Sequence, residues 1–519
     1  MGLSRVWIRR ASGSATVTDV PRLWPLAGVA GVVIVLGAVG AVPVWSGMPH
    51  LAGLPPLDVY SDLRVLLIGA ESWAGFSFLL TVVVTARVIV LALLLGGLDR
   101  HRIGFAAAFY LLALLPLAAA AQLSYLGFTV LYARLFWAAV VIVVVLVVLL
   151  GATPWHGETR LRAALRRSWR WPRAWPLLGY AAAIALVSAA AETWPAATLP
   201  LVAVSALLTA VTIRLLARPP RQCAMPRLAA ALTATAVIVA GTLATTPDAD
   251  PGTPSPRAGS LLLMSGINSS SGNGAVFAVD PAALGYRCAQ VYYYSYAGRG
   301  DGAPGADATC PIRTGAPFRP VHTHQAPADL AATFAEQARE LPRPVVVLAH
   351  SNSAWVAWFG VSRAMAAEVD ALVLLGAFPE SAHGYLDTGE RAPGRVASDL
   401  LRLLAPAAGR FGFHFDADAP VFREVLGSAD APARIMARPL PPDVRAISIV
   451  PATDVPLLPS GWRLPVEYNA CPVWHAHPRL PATGAVWREI NRFLDGKPEP
   501  QCQPFATWLA TVSRPFGVP

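Results

Sequence analysis

Val345-Val346-Val347-Leu348-Ala349-His350-Ser351-Asn352-Ser353-Ala354-Trp355-Val356-Ala357-Trp358-Phe359-Gly360 is the stretch around which the second half of the chain is organised. The β-branched run Val345, Val346 and Val347 suits a strand buried on both faces, the environment of a parallel sheet, and the Ala-rich segment after it suits a helix. Ser351 therefore falls on the turn between them. A strand-to-helix turn this tight needs small residues two before and two after the serine, because their side chains crowd each other and the neighbouring strands. Ala349 and Ser353 meet that need. The competing reading is a capping serine, with Ser351 or Ser353 accepting from the first amides of the helix. An acid and a histidine later in the chain, in that order, favour the elbow.

The composition bounds what the elbow can belong to. At 519 residues, 55% hydrophobic and 14% charged, the chain is too long for one ordinary core and more apolar than soluble domains. The apolar excess lies almost entirely before Thr245, which implies a membrane half followed by a soluble half. The net charge of +10 does not point to a nucleic-acid partner, because many of the arginines fall in short loops between apolar runs. That is a topology signal.

In chain order, a polar segment with Arg5, Arg9, Arg10 and Arg22 precedes Trp24 to Trp45, which reads as a retained signal-anchor span. Further spans are expected at Gly75 to Leu98, Ile103 to Tyr125, Leu135 to Thr153, Trp175 to Trp194, Ala196 to Leu216 and Leu228 to Thr245. Arginines crowd the loops on the N-terminal side: Arg100 and Arg102, the run from Arg160 to Arg173, and Arg218, Arg221 and Arg227. Arg64 and Arg134 alone occupy the opposite loops. The positive-inside tendency then places the N-terminus in the cytoplasm and everything after Thr245 outside it. Arg87, near the middle of the second span, is costly at that depth and calls for a partner. Glu192 and Glu71 are the candidates, and a structural ion pair, or a snorkelling arginine in a tilted helix, is favoured over a transport role.

After the Pro-rich stretch Pro247 to Ser260 a new domain begins. Strands are expected at Leu261 to Met264, Ala289 to Tyr296, the elbow strand, Ala371 to Phe378, Ala446 to Val450 and Val466 to Val473, alternating with helical segments. That alternation indicates a mainly parallel sheet, whose functional side chains gather at the strands' C-terminal ends. The first strand runs into Ser265-Gly266-Ile267-Asn268, a turn able to aim backbone amides at an anion; the lysine of a phosphate-binding loop is absent. Asp454 and His477 follow the fifth and sixth strands.

Ser351, Asp454 and His477, in the order nucleophile, acid, histidine, give the second half a resemblance to the α/β-hydrolase superfamily over roughly Ser260 to the C-terminus. His477-Pro478-Arg479-Leu480, followed by Val486, Ile490, Phe493 and Leu494, is similar to the family's histidine loop and closing helix, which favours His477 over His475. The resemblance implies a cap at about residues 380–444. It also implies a hydroxyl activated by an imidazole that a carboxylate orients, with the backbone amides of Asn352 and Ile267 receiving the oxyanion. Two departures stand out: Ser265-Gly266 where many members have His-Gly, and Ser353 where most have glycine.

The expected architecture is thus an all-α polytopic membrane bundle over residues 1–245 with about seven transmembrane helices, a linker over 246–260, and an α/β-hydrolase-like domain over 261–519 with helices on both faces of its sheet. The expected activity is a membrane-tethered serine hydrolase cleaving a small-molecule or lipid-derived ester outside the cytoplasm, without cofactor or metal. An acyltransferase of the same fold, or a non-catalytic ligand-binding sensor or transport accessory, is the alternative.

Several other polar residues read as structural. His322 and His324 have metal-compatible spacing but no third ligand nearby, Asp370 stands at the wrong end of the sheet, Tyr292, Tyr293 and Tyr294 pack on a strand, and Asp416 and Asp418 are exposed in the cap. Cys288, Cys310, Cys471 and Cys502 fall in the domain assigned to the oxidising side, and Cys223 in a cytoplasmic loop. Of the three pairings of four cysteines, Cys288 with Cys310 and Cys471 with Cys502 each bracket a local segment and are preferred.

Overall fold

A computed structural model describes residues 21–131, 147–170, 173–218, 250, 252–380, 386–410, 416, 418–427, 430–452, 454–455, 458 and 461–502. Four helices are long and apolar enough to cross a membrane: Trp73–Leu94, Arg100–Leu123, Ala174–Thr193 and Pro195–Ala217. The starts of the first two follow from local chemistry. Ser72 accepts a hydrogen bond from the Gly75 amide, and Asp99 accepts from the amides of His101 and Arg102, so each caps exposed donors of a first turn. The first apolar run forms the shorter helix Trp24–Ala38 rather than extending to Trp45. Gly40, at φ +72°, and Pro43 end it, because neither continues an α-helix. The expected spans Leu135 to Thr153 and Leu228 to Thr245 lie largely or wholly outside the described residues.

The segment between the first two spans is not the exposed loop that the sequence suggests. The turn Met48–Ala52 and the helix Leu57–Gly69 are buried against the other helices. Non-helical backbone inside a membrane bundle must find partners within the protein, and here hydroxyls supply them. Tyr180 accepts from the Leu54 amide (2.8 Å), Ser205 donates to the Pro49 carbonyl (2.6 Å) and Thr209 to the Ala52 carbonyl (3.1 Å). Arg87 donates to both carboxylate oxygens of Asp62 (2.7 and 2.8 Å) and to the Leu51 carbonyl (2.8 Å), with Asp58 at 3.8 Å. The acids that meet Arg87 are therefore in this buried segment, which corrects the expectation of Glu192 or Glu71. Arg64, expected in a loop, is buried and donates to Gln122 (2.8 Å) and Tyr60 (2.7 Å).

The second half is built on a six-stranded sheet of order β2-β1-β3-β4-β5-β6 in which every neighbouring pair is parallel. The strands are β1 Ser260–Met264, β2 Val291–Tyr293, β3 Val345–His350, β4 Val369–Leu375, β5 Arg445–Ile449 and β6 Tyr468–Asn469. Every residue of β1 and β3 is buried, as their unbroken apolar runs require. Edge strand β6 is shorter than expected because Pro465 and Pro472 flank it and cannot donate to the ladder. The chain moves one way from β1 to β2 and the other way from β3 onward. The crevice beyond the C-terminal ends of β1 and β3 is therefore a topological switch point, where open parallel sheets place their ligands.

The helices Pro327–Ala338 and Asn352–Ser362 pack on each other, while Gly484–Leu494 packs with the Ala282–Leu284 turn and with β5. The expected linker is partly fastened to the domain: the Arg257 side chain donates to the Leu284 carbonyl (3.0 Å) and pairs with Asp495 (2.8 Å). Both preferred disulfides, Cys288–Cys310 and Cys471–Cys502, are present, each with Cα atoms 5.3 Å apart. Cys223 lies outside the described residues.

Between β4 and β5 come the helices Arg395–Gly409, Pro420–Leu426 and Ala431–Met436, in the interval where a cap is expected. The first of them rests on the membrane half. Val396 is buried with Leu67 and Ala70, Leu400 and Phe76 pack beside them, and the Trp73 indole donates to Asp399 (2.9 Å). Trp73 and Phe76 begin a helix of 22 residues, roughly 33 Å long at 1.5 Å per residue. The Arg395–Gly409 helix thus touches the end of the helical region opposite the arginine-bearing connection that starts at Asp99.

Candidate active site

Ser351 follows β3 with φ 59° and ψ −126°. A non-glycine residue there costs of order 1–3 kcal/mol and persists only where its surroundings fix it. The fixing is visible: the Ser351 amide donates to the Leu375 carbonyl at the end of β4 (2.7 Å), and Gly266 comes so close that an added Cβ would lie 3.0 Å from the Ser351 Cβ. Ser351 occupies the N-cap position of the Asn352–Ser362 helix, yet its side chain accepts no capping hydrogen bond, so the capping-serine reading fails. Ser353 is no cap either. Its buried hydroxyl lies 2.9 Å from the Met264 carbonyl and 3.0 Å from the His350 carbonyl, sharing one proton between them. A serine is accommodated where a glycine is usual because the hydroxyl finds acceptors in the adjoining strand ends.

The turn after β1 is tied closed around Gly266. Ser269 donates to the Gly266 carbonyl (2.6 Å), the hydroxyls of Ser265 and Ser269 are 2.7 Å apart, and Tyr296 donates to the Ser265 carbonyl (2.5 Å). Ile267 and Asn268 sit on this turn, half-buried, with Asn268 at φ 61°. The segments bearing Ile267 and Asn352 thus meet at Ser351.

Asp454 follows β5 and His477 opens the turn His477–Ala482; both are buried. His477 Nδ1 donates to Asp454 Oδ2 at 2.6 Å, which fixes the neutral tautomer with Nε2 as its basic nitrogen. The imidazole stands over Gly376, the residue after the carbonyl that holds the Ser351 amide. A Cβ at Gly376 would approach His477 Cε1 to 2.7 Å. The structure therefore sets the His477–Asp454 pair over the end of β4, the strand next to the one that Ser351 follows.

His350 belongs to the site in a way the sequence reading missed. Its Nε2 donates to the His477 carbonyl (3.0 Å), and the two rings are 5.1 Å apart. Burial, and after it the neighbouring His477, push the His350 pKa down to about 3, so it stays neutral and braces the backbone of His477. The unbroken buried run of β3 gave no sign of this, because an apolar residue would serve the strand equally well.

The residues set aside as structural have structural partners. Asp370 pairs with Arg343 and accepts from the Val345 amide (2.7 Å) at the far end of the sheet. Tyr294 donates to the Leu330 carbonyl (3.0 Å), and Tyr293 accepts from the Cys310 amide (3.2 Å). Asp418 pairs with Arg402 (3.2 Å), and Asp416 is exposed. His322 accepts from the Arg319 amide (3.2 Å), whereas His324 reaches Asn268 (2.9 Å). Among the described residues no group of three His, Cys, Asp or Glu side chains could hold a metal ion.

Comparison of the chain with protein-family models, with curated proteins and with solved structures gives no match.

The position of Gly376 yields a direct expectation. Gly376→Ala places a side chain at φ +68° and pushes it into the His477 ring. A misplacement of about 1 Å in a reacting group costs on the order of 100-fold in rate, while the backbone strain costs about 1–2 kcal/mol in stability. If His477 serves as the base toward an ester, hydrolysis of a p-nitrophenyl ester by Gly376→Ala should therefore fall far more than its unfolding temperature does. Unchanged hydrolysis would place His477 outside the reaction.

Proposed function

We propose that residues 260–502 form a serine hydrolase of the α/β-hydrolase kind, held at the outer face of a membrane by the preceding helices and acting on small or lipid-derived acyl esters. The observation that carries this reading is the 2.6 Å hydrogen bond from His477 to Asp454 beside a serine at positive φ. The strand order with the serine strand inside the sheet, and helices in the cap interval, support the same fold.

In the proposed reaction His477 Nε2 takes the Ser351 proton as Oγ bonds to the ester carbonyl carbon, and the π electrons move to the carbonyl oxygen. The backbone amides of Asn352 and Ile267 receive that oxyanion. Its collapse breaks the carbon–oxygen bond to the alcohol, which leaves with the proton from His477. Water, or a second alcohol in the case of acyl transfer, then repeats the steps on the acyl-serine. Asp454 keeps the imidazole oriented and offsets its charge when protonated.

The outward orientation is supported by three observations: arginines concentrated in the loops of the N-terminal side, cap contact at the other end of the bundle, and two disulfides in the domain. A charged, membrane-impermeant fluorophosphonate applied to sealed cells expressing the full chain should label it as fully as a permeant one. Labelling by the permeant probe alone would reverse the topology. Labelling by neither would favour the ligand-binding module.

A further inference from the structure

Buried donors without acceptors are rare in folded proteins, and each is a reason to look for what completes it. Among the described residues, the side-chain amides whose nitrogen is buried without a partner are those of Asn268 and Asn352. They do not lie at random. Asn352 is the residue after Ser351, and Asn268 sits two residues beyond Gly266, which touches Ser351. They belong to the two segments that meet at the nucleophile.

Asn268 is also held in place by a dedicated set of contacts. Its amide donates to the Thr323 hydroxyl (3.0 Å), which keeps the residue in its left-handed conformation. The Thr323 hydroxyl in turn donates to the Pro320 carbonyl (2.6 Å). His324 Nε2 lies 2.9 Å from Asn268 Oδ1 and donates to it. With Oδ1 taken, the amide's Nδ2 must face the other way. The His324 ring further contacts Phe422 of the Pro420–Leu426 helix at 5.6 Å, so this arrangement lies beneath the cap. The motif His322-Thr323-His324 thereby acquires a role in aiming one side-chain amide.

We propose that the Asn268 and Asn352 side-chain amides are hydrogen-bond donors to the oxygen that becomes negative when Ser351 attacks, adding to the backbone donors, and that His324 is a positioning residue for Asn268. The ligand chemistry is an anionic or strongly polarised oxygen on a tetrahedral centre. The proposal rests on the reading of Ser351 as nucleophile.

A fluorophosphonate tests it without knowledge of the natural ester, because its phosphonyl oxygen stands where the oxyanion forms. Ser351 Oγ bonds to phosphorus, fluoride leaves, and the serine proton passes to His477. The full chain in membranes is labelled under single-exponential conditions, and the maximal rate is separated from the half-saturating concentration. Asn268→Asp keeps the shape and the oxygen that His324 holds but replaces the donor with an acceptor. Its maximal labelling rate should fall by about 100-fold, the usual cost of one lost oxyanion donor, with little change in half-saturation. Asn352→Asp should behave likewise. His324→Ala should slow wild type but add little to Asn268→Asp, and His324→Gln, which can still donate at that position, should restore most of the rate.

Wild-type labelling with Asn268→Asp and Asn352→Asp equally fast would overturn the proposal while leaving the nucleophile intact. Full additivity of His324→Ala with Asn268→Asp would remove the positioning role. No labelling of wild type would instead be a failure of the hydrolase reading itself.

Discussion

Ser351→Ala and His477→Ala are each expected to lower ester turnover by about 10⁴-fold or more, and the double variant by little beyond either, because a nucleophile and its base act as one unit. Asp454→Asn should cost somewhat less, about 10³–10⁴-fold, since the imidazole remains but its tautomer is no longer enforced. His475→Ala should be mild, because the hydrogen bond to Asp454 comes from His477. Stability gives a second readout that a capping serine would not. Ser351 holds φ 59° without any capping hydrogen bond, so Ser351→Gly should abolish turnover while raising stability by about 1 kcal/mol through relief of backbone strain. Loss of stability in Ser351→Gly, with turnover retained, would identify a structural serine.

The second large effect lies in the bundle. Arg87 donates to both oxygens of Asp62 and to the Leu51 carbonyl, and Tyr110 donates to Asp58 (2.6 Å). Arg87→Leu strips the counter-charge from two buried carboxylates, and breaking a buried pair from one side costs about 3–5 kcal/mol. Arg87→Lys should recover little, since one ammonium cannot reproduce a two-pronged contact together with a carbonyl contact. The double variant Arg87→Leu, Asp62→Leu should be more stable than Arg87→Leu alone. Thermal unfolding of the purified full chain in detergent measures all three. An Arg87→Leu protein as stable as wild type would mean that water or lipid headgroups already solvate this network.

Much of the second half was legible in the sequence because its signals are local. Val345 to Val347 can hardly be anything but a buried strand, Ala349 and Ser353 announce the tight turn, and Cys288 and Cys471 each have a partner within a short loop. The order of Ser351, Asp454 and His477 marked the candidate residues, and of these the structure joins Asp454 and His477 by a hydrogen bond. What could not be read depends on partners distant in the chain. Asp58 and Asp62 went unnoticed as partners because the residue that matches their charge, Arg87, is a helix away. The Leu57–Gly69 helix was hidden for the same reason: its polar residues mask an apolar face that becomes apparent only once Arg64 and Arg87 are placed. His324 looked like a failed metal ligand until Asn268 stood opposite it, and the seat of Val396 on Leu67 and Ala70 joins halves of the chain that nothing in either segment links. Ser353 departs from the glycine that most members of the resembled family carry, but it keeps to the small-residue rule. The rule concerns space, and a hydroxyl with two carbonyls in reach satisfies it.

The most direct measurement is the mass of the peptide that carries Ser351 after the full-length protein has reacted with a fluorophosphonate in membranes. The account predicts a single phosphonyl adduct on Ser351, absent from His477→Ala at matched exposure and prevented by heat unfolding before the probe is added. An adduct on Ser353, Ser265 or another serine, or no adduct on a protein whose two disulfides and cap contact are intact, would contradict it.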